Sequence, residues 1–90
     1  MGDINKKAAN FNISIDLRGK RADEALAELQ KYIDEAMLLS IKEVSILHGK
    51  GNGILRPIIR EYLESIDEIK HYGDASLEQG GAGITRVTLE

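Results

Sequence analysis

The chain has no cysteine, a single proline, and no apolar run long enough to cross a bilayer. Without cysteine there are no disulfides and no thiolate metal sites, which fits a cytoplasmic protein. Charges interrupt every apolar stretch, so neither a membrane span nor a signal peptide is expected. His48 and His71 are the only two histidines, with 22 residues between them, and that spacing suggests no metal site. The standard phosphate motifs are missing as well. A P-loop reads GxxxxGK followed by Ser or Thr and a dinucleotide fingerprint reads GxGxxG; Gly49, Gly51 and Gly53 fit neither.

What is present is one small domain of 90 residues, 42% apolar and 30% charged. A chain this size buries about 60–65% of its unfolded surface, enough for one thin core. Net charge is −3, which argues against a protein coated in nucleic acid. The basic residues are nevertheless clustered: Arg18, Lys20 and Arg21 in one stretch, Lys50, Arg56 and Arg60 in another. These make up six of the twelve Lys and Arg residues. Most acids lie elsewhere, at Glu28, Asp34, Glu35, Glu61 and Glu64 on the backs of expected helices and near Asp67, Glu68 and Glu78. A local basic site on an acidic body can hold a phosphate backbone without indiscriminate adhesion.

Taken in order, Met1 to Asn10 lacks periodicity and reads as a linker or vector remnant, with one domain over residues 11–90. Phe11 to Arg18 alternates apolar and polar residues, the pattern of a strand with one buried face. Ala22 to Leu39 has helical spacing, with Asp23 and Glu24 suitably placed in its first turn. Glu43 to His48 reads as a second strand, Gly53 to Ser65 as a second helix with Pro57 near its start, Ile69 to Tyr72 as a third strand, and Ile84 to Leu89 as the fourth. A long polar, glycine-rich loop, expected to be mobile, joins the last two strands.

This β-α-β-α-β-β order predicts an α/β two-layer sandwich: a four-stranded mixed sheet with both helices on one face. If the first two strands are neighbours, Asp16, Arg18 and His48 are expected to share one small surface at the strands' carboxyl ends, where open α/β sheets tend to bind ligands. The run His48-Gly49-Lys50-Gly51-Asn52-Gly53 contains no acid. It is expected to point unpaired backbone N–H groups outward at a helix start. Taken alone, it reads equally well as an anion-tolerant turn.

Asp16-Leu17-Arg18-Gly19, then Asp23-Glu24-Ala25-Leu26, then His48-Gly49-Lys50-Gly51, and a late GGAGITRVTLE tail together resemble the Smr (small MutS-related) domain. The DLRG form and the tail look most like the Smr domain that ends the second bacterial MutS paralogue. The resemblance implies a fold similar to the C-terminal domain of translation initiation factor three. It also implies nucleic-acid binding and, in many members, endonuclease activity. The implied parent is a MutS-like ATPase acting in recombination control or ribosome rescue. Implied partners are therefore its ATPase portion and branched DNA, RNA or the ribosome, with no membrane. Many stand-alone Smr nucleases carry a histidine where this chain has Arg18.

Two functions follow for the same residues. A nuclease would use Asp16 or His48 as base and Arg18 and Lys50 to bear charge building on phosphorus. A binding module would use Arg18, Lys20, Arg21, Lys50, Gly51, Asn52, Gly53, Arg56 and Arg60 for affinity alone, and Arg18 favours it because a guanidinium is no general base. In a plainer reading Asp16 and Arg18 are an exposed ion pair and His48 a strand-end residue bonded to backbone. Tyr32, Tyr62 and Tyr72 offer base-stacking surfaces, although Tyr32 and Tyr62 fall in helical patterns that suggest packing. The sequence indicates no cofactor and neither requires nor excludes a divalent metal.

Overall fold

The computed structural model describes residues 10–50 and 54–89. Strand β1 (Ser14–Asp16) is followed by α1 (Ala22–Leu38), β2 (Glu43–Leu47), α2 (Leu55–Glu64), β3 (His71–Asp74) and β4 (Ile84–Thr88). The sheet order is β1-β2-β4-β3: β1 runs parallel to β2, and β4 is antiparallel to both of its neighbours. Residues 1–9, which cover most of the expected linker, lie outside the described residues, as do Gly51, Asn52 and Gly53.

Helix α1 buries Ala25, Leu29, Ile33 and Ala36, one residue per turn along one stripe. Helix α2 does the same with Leu55, Ile59 and Leu63. Both stripes join Leu17, Val44, Ile46, Val87 and Leu89 in one core, which leaves the other sheet face without helical cover. Pro57 is the third residue of α2, inside the first turn where an N–H has no intrahelical acceptor to lose.

Two strands differ from the sequence expectation. The first is three residues long rather than eight. As an edge strand it can pair only with β2, and the Asn12 side chain accepts the Ser14 N–H at 3.0 Å, bending the chain before the ladder starts. Phe11 leaves the strand to stack on Tyr32 at 5.0 Å, and Tyr32 donates to the Asn12 carbonyl at 2.7 Å, so Tyr32 serves packing. The third strand is shifted two residues onward, because Ile69 N–H closes a turn onto Ile66 and Lys70 opens the pairing with Thr88. The loop before β4 is built from two 3₁₀ turns, Leu77–Gln79 and Gly81–Gly83, and buries Gly81 and Gly83.

Leu29 is fully buried while Leu38, on the same helix, is 81% exposed. Leu29→Ala is expected to cost about 2–5 kcal/mol in urea unfolding, and Leu38→Ala to stay within about 0.5 kcal/mol of wild type.

Candidate nucleic-acid interface

Three chain segments meet at the carboxyl end of the parallel pair: the residues after β1, those after β2, and those before β4. Asp16 closes β1 on the open face, and Arg18 folds back onto it. Arg18 donates Nε to Asp16 Oδ1 at 2.8 Å, Nη2 to Oδ2 at 2.7 Å, and its backbone N–H to Oδ1 at 3.0 Å. The side-chain bonds, aided by the backbone bond, hold the Asp16 carboxyl down to about 2. Both partners are more than half exposed, so the pair contributes little to stability. Its consequence is geometric. The guanidinium is fixed by one edge, and no described residue takes Nη1, which leaves the Nη1/Nη2 edge directed away from Asp16.

His48 goes elsewhere. Asp16 stands opposite Leu47 in the β1–β2 register, and side chains alternate faces, so His48 turns toward the helices while Asp16 and Arg18 stay on the open side. The expected shared surface of Asp16, Arg18 and His48 is thus divided by the sheet. His48 is 6% exposed. Its Nδ1 lies 3.0 Å from the Gly49 carbonyl, which can only accept, so Nδ1 carries the proton. Nε2 then accepts from the Thr85 hydroxyl at 2.8 Å. Arg60 donates to the Thr85 oxygen at 3.3 Å and to Asp74 Oδ1 at 2.5 Å, and Arg56 reaches the same Asp74 oxygen at 2.9 Å. Burial lowers the His48 pKa first, against the Gly49 carbonyl, and Arg60 and Arg56 lower it further.

The turn after β2 spends amides that the sequence suggested were unpaired. The N–H groups of His48 and Gly49 both bond the Gly83 carbonyl, at 3.1 and 2.9 Å. Gly51, Asn52 and Gly53, whose amides were part of the same expectation, lie outside the described residues. Gly49, at φ +80°, supports the Arg18 stem: a Cβ there would stand 3.5 Å from Arg18 Cγ. Lys50 lies across Gly83 in the same way, and has no acidic partner among the described residues. Together Arg18, Leu47, Gly49, Lys50, Gly80, Gly83 and Ile84 line a shallow cleft of about 210 Å³.

The remaining expected cations are not gathered there. Lys20 pairs with Glu28 at 3.0 Å, and Arg21 with Asp23 at 3.7 Å. The side chains of Arg56 and Arg60 are 39% and 22% exposed, against 59% for Arg18, and both are committed to Asp74. Tyr72 donates to Glu64 at 2.6 Å beneath the Arg60 guanidinium and is no open stacking platform. Sequence reasoning missed Thr85 and Asp74. A polar residue in step with Val87 and Leu89 was a readable signal for Thr85; Asp74 in a polar stretch gave none.

The His48 environment has a consequence for stability. The unfolded chain takes up the histidine proton near pH 6.5 (about the ordinary value), the folded chain only at lower pH. Between those points the unfolded state binds more protons, so stability falls as pH falls. The His48 ring signals in NMR are expected to titrate below pH 6.5; a midpoint at or above it would contradict the buried, neutral assignment.

The Smr domain model matches residues 15–90. The chain is 46% identical over 86 residues to Endonuclease MutS2 of Finegoldia magna and 42% identical over 84 residues to that of Caldicellulosiruptor bescii. Those alignments cover 96% and 93% of this chain but 11% of each relative, so the chain spans about a ninth of the curated proteins it matches. The crystal structure of the Smr domain of Thermus thermophilus MutS2 superposes with TM-score 0.82 at 40% identity, covering 86% of this chain and 96% of that one. A stand-alone small MutS-related protein from Escherichia coli, YdaL, has the same fold at TM-score 0.82 and 23% identity. With a family match along most of its length and a 40%-identical domain of the same architecture, the chain belongs to the Smr domain family.

Proposed function

We propose that this domain grips a phosphodiester backbone at the carboxyl end of β1 and β2 and cleaves it, as the Smr part of a MutS2-type endonuclease. The observation that carries the reading is the Arg18 guanidinium, clamped by Asp16 on one edge and open on the other, with Lys50 across the same cleft. The open edge matches two phosphate oxygens, and Lys50 adds a point charge. A phosphate drawing Arg18 away from Asp16 weakens the bonds that depress the carboxyl and places negative charge beside it. Asp16 then becomes more basic. With RNA, Asp16 takes the proton of the 2′-OH as that oxygen attacks phosphorus, Arg18 and Lys50 bear the developing charge, and the 5′ oxygen leaves with a proton from solvent. With DNA a water replaces the 2′-OH. No resident cofactor enters these steps, and an EDTA arm tests for a divalent metal.

The rest of the parent, including an ATPase portion, belongs to the proposal, because the chain spans about 11% of its MutS2 relatives. Branched DNA, RNA and ribosomal RNA are candidate targets, in recombination control or ribosome rescue, with a cytoplasmic setting. No helix among the described residues is long and apolar enough to cross a membrane. Tethering to a larger DNA- or ribosome-bound body would raise the effective concentration of substrate at this small site.

A second reading, binding without cleavage, is favoured by one observation: His48 is buried with both ring nitrogens engaged, and Asp16 is fully paired. Matched DNA and RNA oligonucleotides, with and without EDTA, separate the two. Asp16→Asn is expected to reduce cleavage by about 10²–10⁴ while leaving affinity equal or tighter. Equal rates in wild type, Asp16→Asn and His48→Ala would identify the activity as a contaminant and leave the binding reading. Lys50→Ala is expected to weaken binding and reduce the slope of log K against log salt by about one, from an initial value of roughly −2 to −4. A salt-independent affinity would contradict phosphate contact altogether.

A further inference from the structure

We infer that the cleft between Arg18 and Lys50 receives one unpaired nucleobase, so that the substrate of this site is single-stranded nucleic acid or an unpaired nucleotide in a larger structure. The inference rests on the nucleic-acid reading above and concerns which part of the substrate enters. Leu47 and Ile84 are register partners on the open sheet face, half-buried, and they form the apolar wall. Gly49, Gly80 and Gly83 line the rest with bare backbone. A Cβ on Gly83 would press on Lys50 Cγ at 3.4 Å and on the Gly49 carbonyl carbon at 3.6 Å, and one on Gly80 would run into the Ile84 side chain. Glycine at 80 and 83 lets the Ile84 and Lys50 side chains lie against bare backbone.

The apolar part of the lining does not suit a phosphate. Leu47 and Ile84 offer no donor there and the Gly49 amide already bonds the Gly83 carbonyl, so phosphate belongs at the charged ends of Arg18 and Lys50. Both cations belong to the lining, the Arg18 stem resting on Gly49 and the Lys50 stem on Gly83. An apolar patch of Leu47 and Ile84 beside two cations matches one nucleotide, with the flat ring against the patch and its phosphates at Arg18 and Lys50. The cleft is small. At 210 Å³ the cleft falls below the roughly 300–1,000 Å³ of pockets for drug-sized ligands. A base within a duplex is stacked and paired and cannot enter without extrusion, whereas an unpaired base enters at little cost. No aromatic residue lines the cleft, so a base there gains contact from aliphatic walls and the guanidinium. Its contribution therefore falls at the low end of what stacking provides, about five- to ten-fold in affinity.

The test compares three probes by fluorescence anisotropy at low salt: a short oligothymidylate, the same phosphodiester backbone carrying abasic residues, and a duplex of equal length. The oligothymidylate is expected to bind about five-fold tighter than the abasic strand and tighter than the duplex. Leu47→Ser and Ile84→Ser, with cooperative melting checked, are expected to narrow the first ratio toward one. Equal affinity for the thymidylate and abasic strands, tighter duplex binding, or a ratio surviving in both folded variants overturns the inference and leaves phosphate gripping in place. Failure of all three probes to bind overturns the nucleic-acid reading as well.

Discussion

The parallel register of β1 on β2 is the constraint on which the site depends. With Asp16 opposite Leu47, the alternation of side chains sends Asp16 and Leu47 to the open face and Ile46 and His48 to the face under the helices. A slip of β1 by one residue would turn Asp16 toward the helices and Leu17 to the open face. Burial opposes such a slip, since Leu17 is fully buried. The apolar core of a small domain thus fixes which motif residue meets solvent and which does not.

Electrostatics divides the same way. Asp16 holds one arginine at the open face, and Asp74 holds two on the helical side. The first pair is exposed and leaves half the guanidinium available. The second closes a chain from Arg56 and Arg60 through Thr85 to His48 and then to the Gly49 carbonyl. That chain fixes the turn from which Lys50 projects. Gly83 anchors the turn from the other side by accepting two amides. The polar residues at this end of the sheet thus separate into a contact part, Arg18 and Lys50, and a supporting part, His48 with Thr85 and Asp74.

Much of the fold was legible because periodicity reports burial directly. Both helices, the mixed sheet and the single-sided cover follow from apolar spacing at Ala25, Leu29, Ile33, Ile59 and Leu63 and from alternation in β2 and β4. The edge strands were less legible. β1 is cut short by an Asn12 side-chain bond, and β3 is built around Gly73 and Asp74, which resemble loop residues because their role is ionic and steric. The candidate residues could be named from the motifs, but their faces could not, since the alternation at His48 depends on a register that only pairing defines. The glycines at 80–83 read as a polar loop because burial of Gly81 and Gly83 leaves no apolar mark in sequence.

Backbone amide NMR during titration with a single-stranded oligonucleotide addresses the central claim most directly. The expected result is a set of shift changes confined to Asp16–Lys20, His48–Lys50 and Gly80–Thr85, with the outer face of α1 around Asp34 and Glu35 unmoved. Changes centred on the outer helical faces, with the carboxyl end of β1 and β2 silent, would contradict the placement of nucleic acid at that edge.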